Sequence, residues 1–233
     1  MKFHLSKILY FEAAHRNPQG DERQQRLHGH SYRVDLLAHG APDDGIGWVV
    51  DFTDMKKQFN PLVETLDHSY LNEVSGLEMD TTVPAIARWI AGHIEPKPVW
   101  FAGVRVAIDG DCYFNPILLP EDAFEGLPER WRFTFEAAQS LPCLPDGHPC
   151  QSLHGHSYIL ELGAKDLAAL EADLPVLYDL LDHRYLNDVE GMDKSTVEHI
   201  AHWVWHWAAS RGHRPTATVI QETYTARCVY LGE

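Results

Sequence analysis

The chain has 233 residues, 45% of them hydrophobic, enough for one large core or two of about 115 residues each. Its formal charge of -15, from 19 basic against 34 acidic side chains, works against phosphate-backbone binding, so neither nucleic acid nor an anionic membrane is expected as a partner. The N-terminal "MKFHLSKILYFEAAH" lacks a signal-peptide apolar run, no window approaches a spanning length, and the four cysteines form no CxxC pair; together these predict a cytoplasmic protein with free thiols.

In chain order, a first strand is expected to end in "FEAAH" at 11–15, and a second follows where Tyr32, Val34 and Leu36 alternate with Arg33 and Asp35. Met55, Phe59, Leu62, Val63 and Leu66 then share one helical stripe, and Val83, Ile86, Ala87 and Ile90 a second. Val104, Val106 and Ile108 return to strand alternation. The Pro- and acid-rich "NPILLPEDAFEGLPER" suits a linker over 115–131. Beyond it the motifs recur in the same order. "FEAAH" returns as "FEAAQ" at 135–139, "LHGHSY" at 27–32 reappears unchanged at 153–158, and "LDHSYLNE" at 66–73 becomes "LDHRYLND" at 181–188. One helix is expected through Leu167, Leu170, Leu174, Leu177 and Leu181, another through Val197, Ile200, Ala201 and Val204. The chain therefore reads as α+β, with two tandem modules at 1–114 and 132–233. Each is expected as two strands, two helices, two strands, forming a four-stranded antiparallel sheet with two helices on one face. Uncovered sheet edges predict a homo-oligomer.

In "HGH" the imidazoles at i and i+2 point to one strand face, about 7 Å apart, wide enough to straddle a metal. If the first two strands form a hairpin, His15 completes a tripod with His28 and His30. Three histidines with an open fourth position are a catalytic zinc arrangement rather than a structural one. In the second half His154 and His156 remain, but Gln139 takes the place of His15, and a weakened or empty remnant site is expected there.

With His15, "LHGHSY", "GWVVDFTDMK", "LDHSYLNE" and "QETYTARCVY" in view, the chain resembles the 6-pyruvoyltetrahydropterin synthase family as two tandem copies, most of all its bacterial 6-carboxytetrahydropterin synthase (QueD) branch of queuosine biosynthesis. The resemblance implies the tunnelling fold (T-fold), sites at module interfaces, zinc (Zn2+), and a small pterin substrate such as 7,8-dihydroneopterin triphosphate for a lyase reaction. It further implies zinc on His15, His28 and His30, a base at Cys150 in "CQSLHGH", Asp-His pairs at Asp67-His68 and Asp182-His183, and pterin anchoring by Glu222. The matching base position in the first half is Gln24, and Ile108 or Asp109 stands near the anchor position, so each half keeps part of one outfit. A composite site uniting the halves, a diverged first site with Glu22 or Asp21 as substitute base, and a pterin- or purine-binding or scaffold protein without turnover all stay open. Cys112, Cys143 and Cys228 read as ordinary side chains, and His199, His202 and His206 as a solvated helix face.

Overall fold

The structure is a computed structural model describing residues 2–192, 194–223 and 225–232. In the first half, strands β1 (Phe3–His15) and β2 (His28–Gly40) form the expected hairpin, registered so that His15 lies opposite His28. Even positions of β2 face the first core, where Tyr32, Val34 and Leu36 are fully buried. Helix α1 (Phe52–Leu66) starts at Asp51, whose carboxylate accepts from Thr53 N, and buries the stripe Met55, Phe59, Val63 and Leu66. Strand β3 (Ser69–Tyr70), helix α2 (Val83–Gly92) and strand β4 (Phe101–Ile108) complete the half. Only one long strand follows the helices. The fourth place in the sheet, ordered β3-β1-β2-β4, is taken by two residues running parallel to β1.

The second half repeats this plan with additions. The expected linker 115–131 carries β5 (Ile117–Leu119), which pairs with Arg130–Arg132 at the start of β6 (Arg130–Gln139). Its apolar triplet satisfies backbone groups that β6 would otherwise leave open at the sheet edge. Strand β7 (His154–Ala164) pairs with β6, and Gln139 lies opposite His154 as His15 does opposite His28. The single helix expected over 167–181 is instead α3 (Leu167–Glu171) and α4 (Leu174–Leu181). Pro175 in the first turn of α4 has no N–H to continue the helix from α3, so the break falls just before it. The leucine stripe is nonetheless intact, with Leu170, Leu174, Leu177 and Leu181 in the second core. Strand β8 (Arg184–Tyr185), helix α5 (Val197–Ser210) and strands β9 (Pro215–Thr223) and β10 (Ala226–Tyr230) follow, giving a sheet ordered β10-β9-β7-β6-β5 with β8 beside β6.

The halves meet across a local two-fold relation centred on the repeated motif. Gly29 of β2 and Gly155 of β7 cross so closely that a Cβ on either would clash with the other's Cα. The middle residue of "HGH" is thus glycine because another backbone occupies the space of its side chain. Beside the crossing, Ser31 N donates to Ser157 Oγ and Ser157 N to Ser31 Oγ, both at 3.1 Å. The two hydroxyls then donate to Glu12 and Glu136 of their own halves, each at 2.6 Å. No described helix is long and apolar enough to cross a membrane.

Candidate functional site

Two sites form at this interface, each taking a histidine cluster from one half and an Asp-His pair from the other. At the triad site, the rings of His15, His28 and His30 are mutually 4.4 to 4.9 Å apart between centroids. One nitrogen from each lies within 4.8 Å of the other two. The remaining nitrogens are engaged. His28 Nδ1 donates to the Arg26 carbonyl at 2.8 Å, and His30 Nδ1 meets Glu136 Oε2 of the other half at 2.6 Å. Thr81 Oγ1 gives its proton to the Arg16 carbonyl and so accepts from His15 Nδ1 at 2.9 Å. These partners hold each ring with its Nε2 lone pair free, the state a metal ligand requires. His15 Nε2 is buried with no hydrogen-bond partner among the described residues. Burial and the neighbouring imidazoles push His15 and His28 well below the usual histidine range, and burial takes His30 down to about 3. All three are therefore neutral near pH 7. Neutral imidazoles with converging lone pairs and an orphaned buried nitrogen fit a divalent metal.

The second half closes this site. His183 stacks on His28 with ring centroids 4.1 Å apart, and its Nδ1 is bound to Asp182 at 2.6 Å. Arg23 in turn reaches Asp182 at 3.1 Å from the first half. His183 has φ 53°, in the left-handed region where a non-glycine residue costs about 1–3 kcal/mol. Its amide is fixed there by the Glu136 carbonyl at 2.6 Å. His68 has the same φ and the matching bond to Glu12. A cavity of about 210 Å³ opens over the triad, lined by Gln24, Ile108 and Cys112 as well as His183.

At the cysteine site the Asp-His pair comes from the first half. His68 Nε2 lies 3.7 Å from Cys150 Sγ, and its ring centroid is 4.5 Å from that of His154. Asp67 stands 3.0 Å from His68 Nδ1 and raises that imidazole's pKa. Burial, then the Glu222 and Asp67 carboxylates, push the Cys150 thiol up, so it keeps its proton near pH 7. His154 Nδ1 donates to the Ser152 carbonyl at 2.8 Å, and His156 Nδ1 meets Glu12 Oε2 at 3.0 Å, repeating the triad-site supports. The third ligand position is different. Gln139 turns its amide nitrogen toward His154 Nε2 at 3.3 Å and donates to Glu222. An N–H donor therefore points at the nitrogen a metal would need, and the Gln139, His154 and His156 set does not fit one. His68, Cys150 and His154 offer another cluster, with ligand atoms within 4.8 Å of one another.

The structure thus distributes the sequence-derived residues over two places. His15, His28 and His30 come together with Asp182 and His183, while Cys150, Glu222, His154 and His156 come together with Asp67 and His68. Cys150 and Glu222 do not join the histidine triad. Asp21 caps Gln24 N within its own turn, and the Glu22 side chain is 93% exposed beside Arg26, so neither stands at the triad as a substitute base. Ile108 pairs with Tyr32 on β4, where β9 carries its carboxylate one residue beyond the Gln221 to Ile159 pair. His202 and His206 meet at 2.9 Å on an exposed helix face, as expected, with the Tyr230 ring 5.7 Å from that of His202. Sequence reasoning missed Glu12 and Glu136, the acids that cross the interface to the other half's histidine. An acid kept twice in "FEAA", set between apolar neighbours, was the available signal. It also missed Thr81 and Cys112; burial pushes the Cys112 thiol up.

The sequence profile of the family described as 6-pyruvoyl tetrahydropterin synthase matches residues 4–109 and again 130–233. A 6-carboxy-5,6,7,8-tetrahydropterin synthase of Synechocystis sp. is 43% identical over 127 residues, covering 50% of this chain and 96% of that protein. A dihydroneopterin monophosphate aldolase of Pyrococcus furiosus is 34% identical over 130 residues, covering 54% of this chain and 98% of that protein. Among solved structures, the Caenorhabditis elegans 6-pyruvoyl tetrahydropterin synthase is 20% identical, covers 46% of this chain and 89% of that chain, and has a TM-score of 0.41.

Proposed function

We propose, since the chain belongs to the 6-pyruvoyl tetrahydropterin synthase family, that it is a zinc-dependent lyase of the 6-carboxytetrahydropterin synthase type, acting on 7,8-dihydroneopterin triphosphate or a close pterin analogue. The observation that carries this reading is the reciprocal exchange of Asp-His pairs, which sets His183 and its carboxylate against the metal-competent triad. His15, His28 and His30 would hold the zinc, which when bound supplies a Lewis acid toward a side-chain hydroxyl or carbonyl of the pterin. His183, its tautomer and ring plane fixed by Asp182, is then the group that takes a proton from the substrate side chain and returns it.

A second reading applies to the cysteine site. There Gln139 occupies the ligand position and hydrogen-bonds Glu222, which favours pterin binding without metal-assisted turnover at that site. Glu222 has the chemistry to accept two N–H bonds from the guanidine-like pterin edge.

The test is incubation of zinc-loaded protein with 7,8-dihydroneopterin triphosphate, following triphosphate release and the pterin product. The expected products are 6-carboxytetrahydropterin, acetaldehyde and triphosphate, with turnover lowered about 10²- to 10⁴-fold by His183→Ala while zinc content is kept. An intact, zinc-loaded protein that leaves the substrate unchanged would sink the lyase reading.

A further inference from the structure

Next to the triad site, a larger cleft of about 560 Å³ is lined by Arg16, Arg26 and Arg184 together with His183. His183 also lines the triad cavity, so the two spaces meet at that ring. The arginines come from three separate segments and both halves. Arg16 follows "FEAAH", Arg26 precedes "LHGH", and Arg184 follows "LDH" of the second half. The repeat supplies an internal control, because each has a counterpart at the cysteine site. Ser140 follows "FEAAQ", Ser152 precedes the second "LHGH", and Ser69 follows the first "LDH". All three arginines are serines there.

Two carboxylates, Asp188 and Glu190, also line the cleft. Three guanidinium groups against two carboxylates leave a positive balance, whereas the counterparts of those acids, Glu73 and Ser75, leave the sister position negative. Among the described residues, the guanidinium groups are not consumed by strong internal pairing. Arg26 meets Glu22 only at 3.5 Å on the surface, and Arg184 donates to the Asp179 carbonyl at 3.3 to 3.4 Å. In a chain of charge -15 such a convergence has a local cause. Arginine forks match phosphate oxygens bidentately, which serine hydroxyls cannot do with comparable charge.

We propose that this cleft is an anion subsite that receives the phosphate groups of the ligand held at the triad, and that the cysteine site, with serines in its place, takes a ligand without phosphates. The identity of the ligand as a pterin phosphate ester rests on the lyase reading; the anion subsite itself does not. The two interface sites are thereby divided by ligand charge as well as by metal.

The probe is inorganic tripolyphosphate titrated calorimetrically into the whole, zinc-loaded protein. One binding event per chain is expected, weakened roughly tenfold to a hundredfold in R16S/R26S/R184S, with zinc content and melting temperature unchanged. Introducing S69R/S140R/S152R should add a second event. Tripolyphosphate held by the metal alone would bind the triple serine variant as tightly as the parent chain, and that result overturns the proposal. So does an absence of binding to the parent chain. A protein that binds tripolyphosphate through these arginines but leaves the pterin substrate intact would discard the lyase reading and keep the subsite.

Discussion

At the scale of single residues, position 139 decides what the second site can hold. The triad was legible in the sequence because two imidazoles two apart share a strand face, and a hairpin places His15 opposite His28. The groups that fix their tautomers were not legible. Glu136 lies 106 positions from His30, and only the meeting of the halves brings them to 2.6 Å. At the cysteine site the equivalent supports, Ser152 and Glu12, are already in place, so a single change should create a ligand set. Gln139→His is therefore expected to raise bound zinc from about one to about two per chain, and His15→Ala to lower it toward zero. Elemental analysis of the purified variants measures both. A Gln139→His protein still carrying one zinc would show that the second pocket lacks more than an imidazole.

At the scale of elements, the strand crossing at Gly29 and Gly155 sets the separation of the sheets and with it the reach of each Asp-His pair. Strand β2 was plain from alternation, and α1 and α2 from their helical stripes. The break between α3 and α4 could have been read from Pro175, whereas β5 could not, since three apolar residues in an acidic, Pro-rich stretch gain strand structure only by finding the open side of β6. Gly29→Ala places a methyl group against the other backbone, where no side chain can move aside. Overpacking of this kind costs about 1–3 kcal/mol, and more where the obstacle is backbone. We expect a melting temperature several degrees lower and a weakened stacking of His183 on His28. Calorimetry that finds Gly29→Ala as stable as the parent would mean that the sheets can slide apart without loss.

At the scale of the whole molecule, the interface concentrates buried ionisable groups and should govern the pH profile of stability. Burial lowers His15, His28 and His30, and takes His154 to about 3 and His156 to about 4, against 6.5 for an unfolded histidine. Below pH 6.5 the unfolded chain binds protons that the folded one refuses, so stability falls with acidification, by about 1.4 kcal/mol per pH unit for each group. Two carboxyls act in the opposite sense. Burial raises Glu12 to about 8 and holds Glu136 well above the usual carboxylate range, so above pH 4.5 the unfolded chain has released protons that the folded one keeps. Five imidazoles outweigh two carboxyls on the acid side, and above pH 6.5 the carboxyls are joined by His68, whose pKa Asp67 raises and whose stabilising charge is lost as pH climbs. The metal-free protein should therefore melt highest near pH 6.5, with a steeper decline toward pH 4.5 than toward pH 8; a melting temperature that climbs steadily through pH 8 would contradict this. The exchange of Asp-His pairs within one polypeptide has another consequence. A pocket assembled from separate subunits is lost on dilution, but a covalent tether holds its two walls at an effective concentration in the millimolar range for short linkers. Nanomolar protein should keep both pockets closed. A single chain also escapes the rule that every change in a symmetric dimer appears twice, so one pocket can carry Gln139 and three serines where the other carries His15 and three arginines.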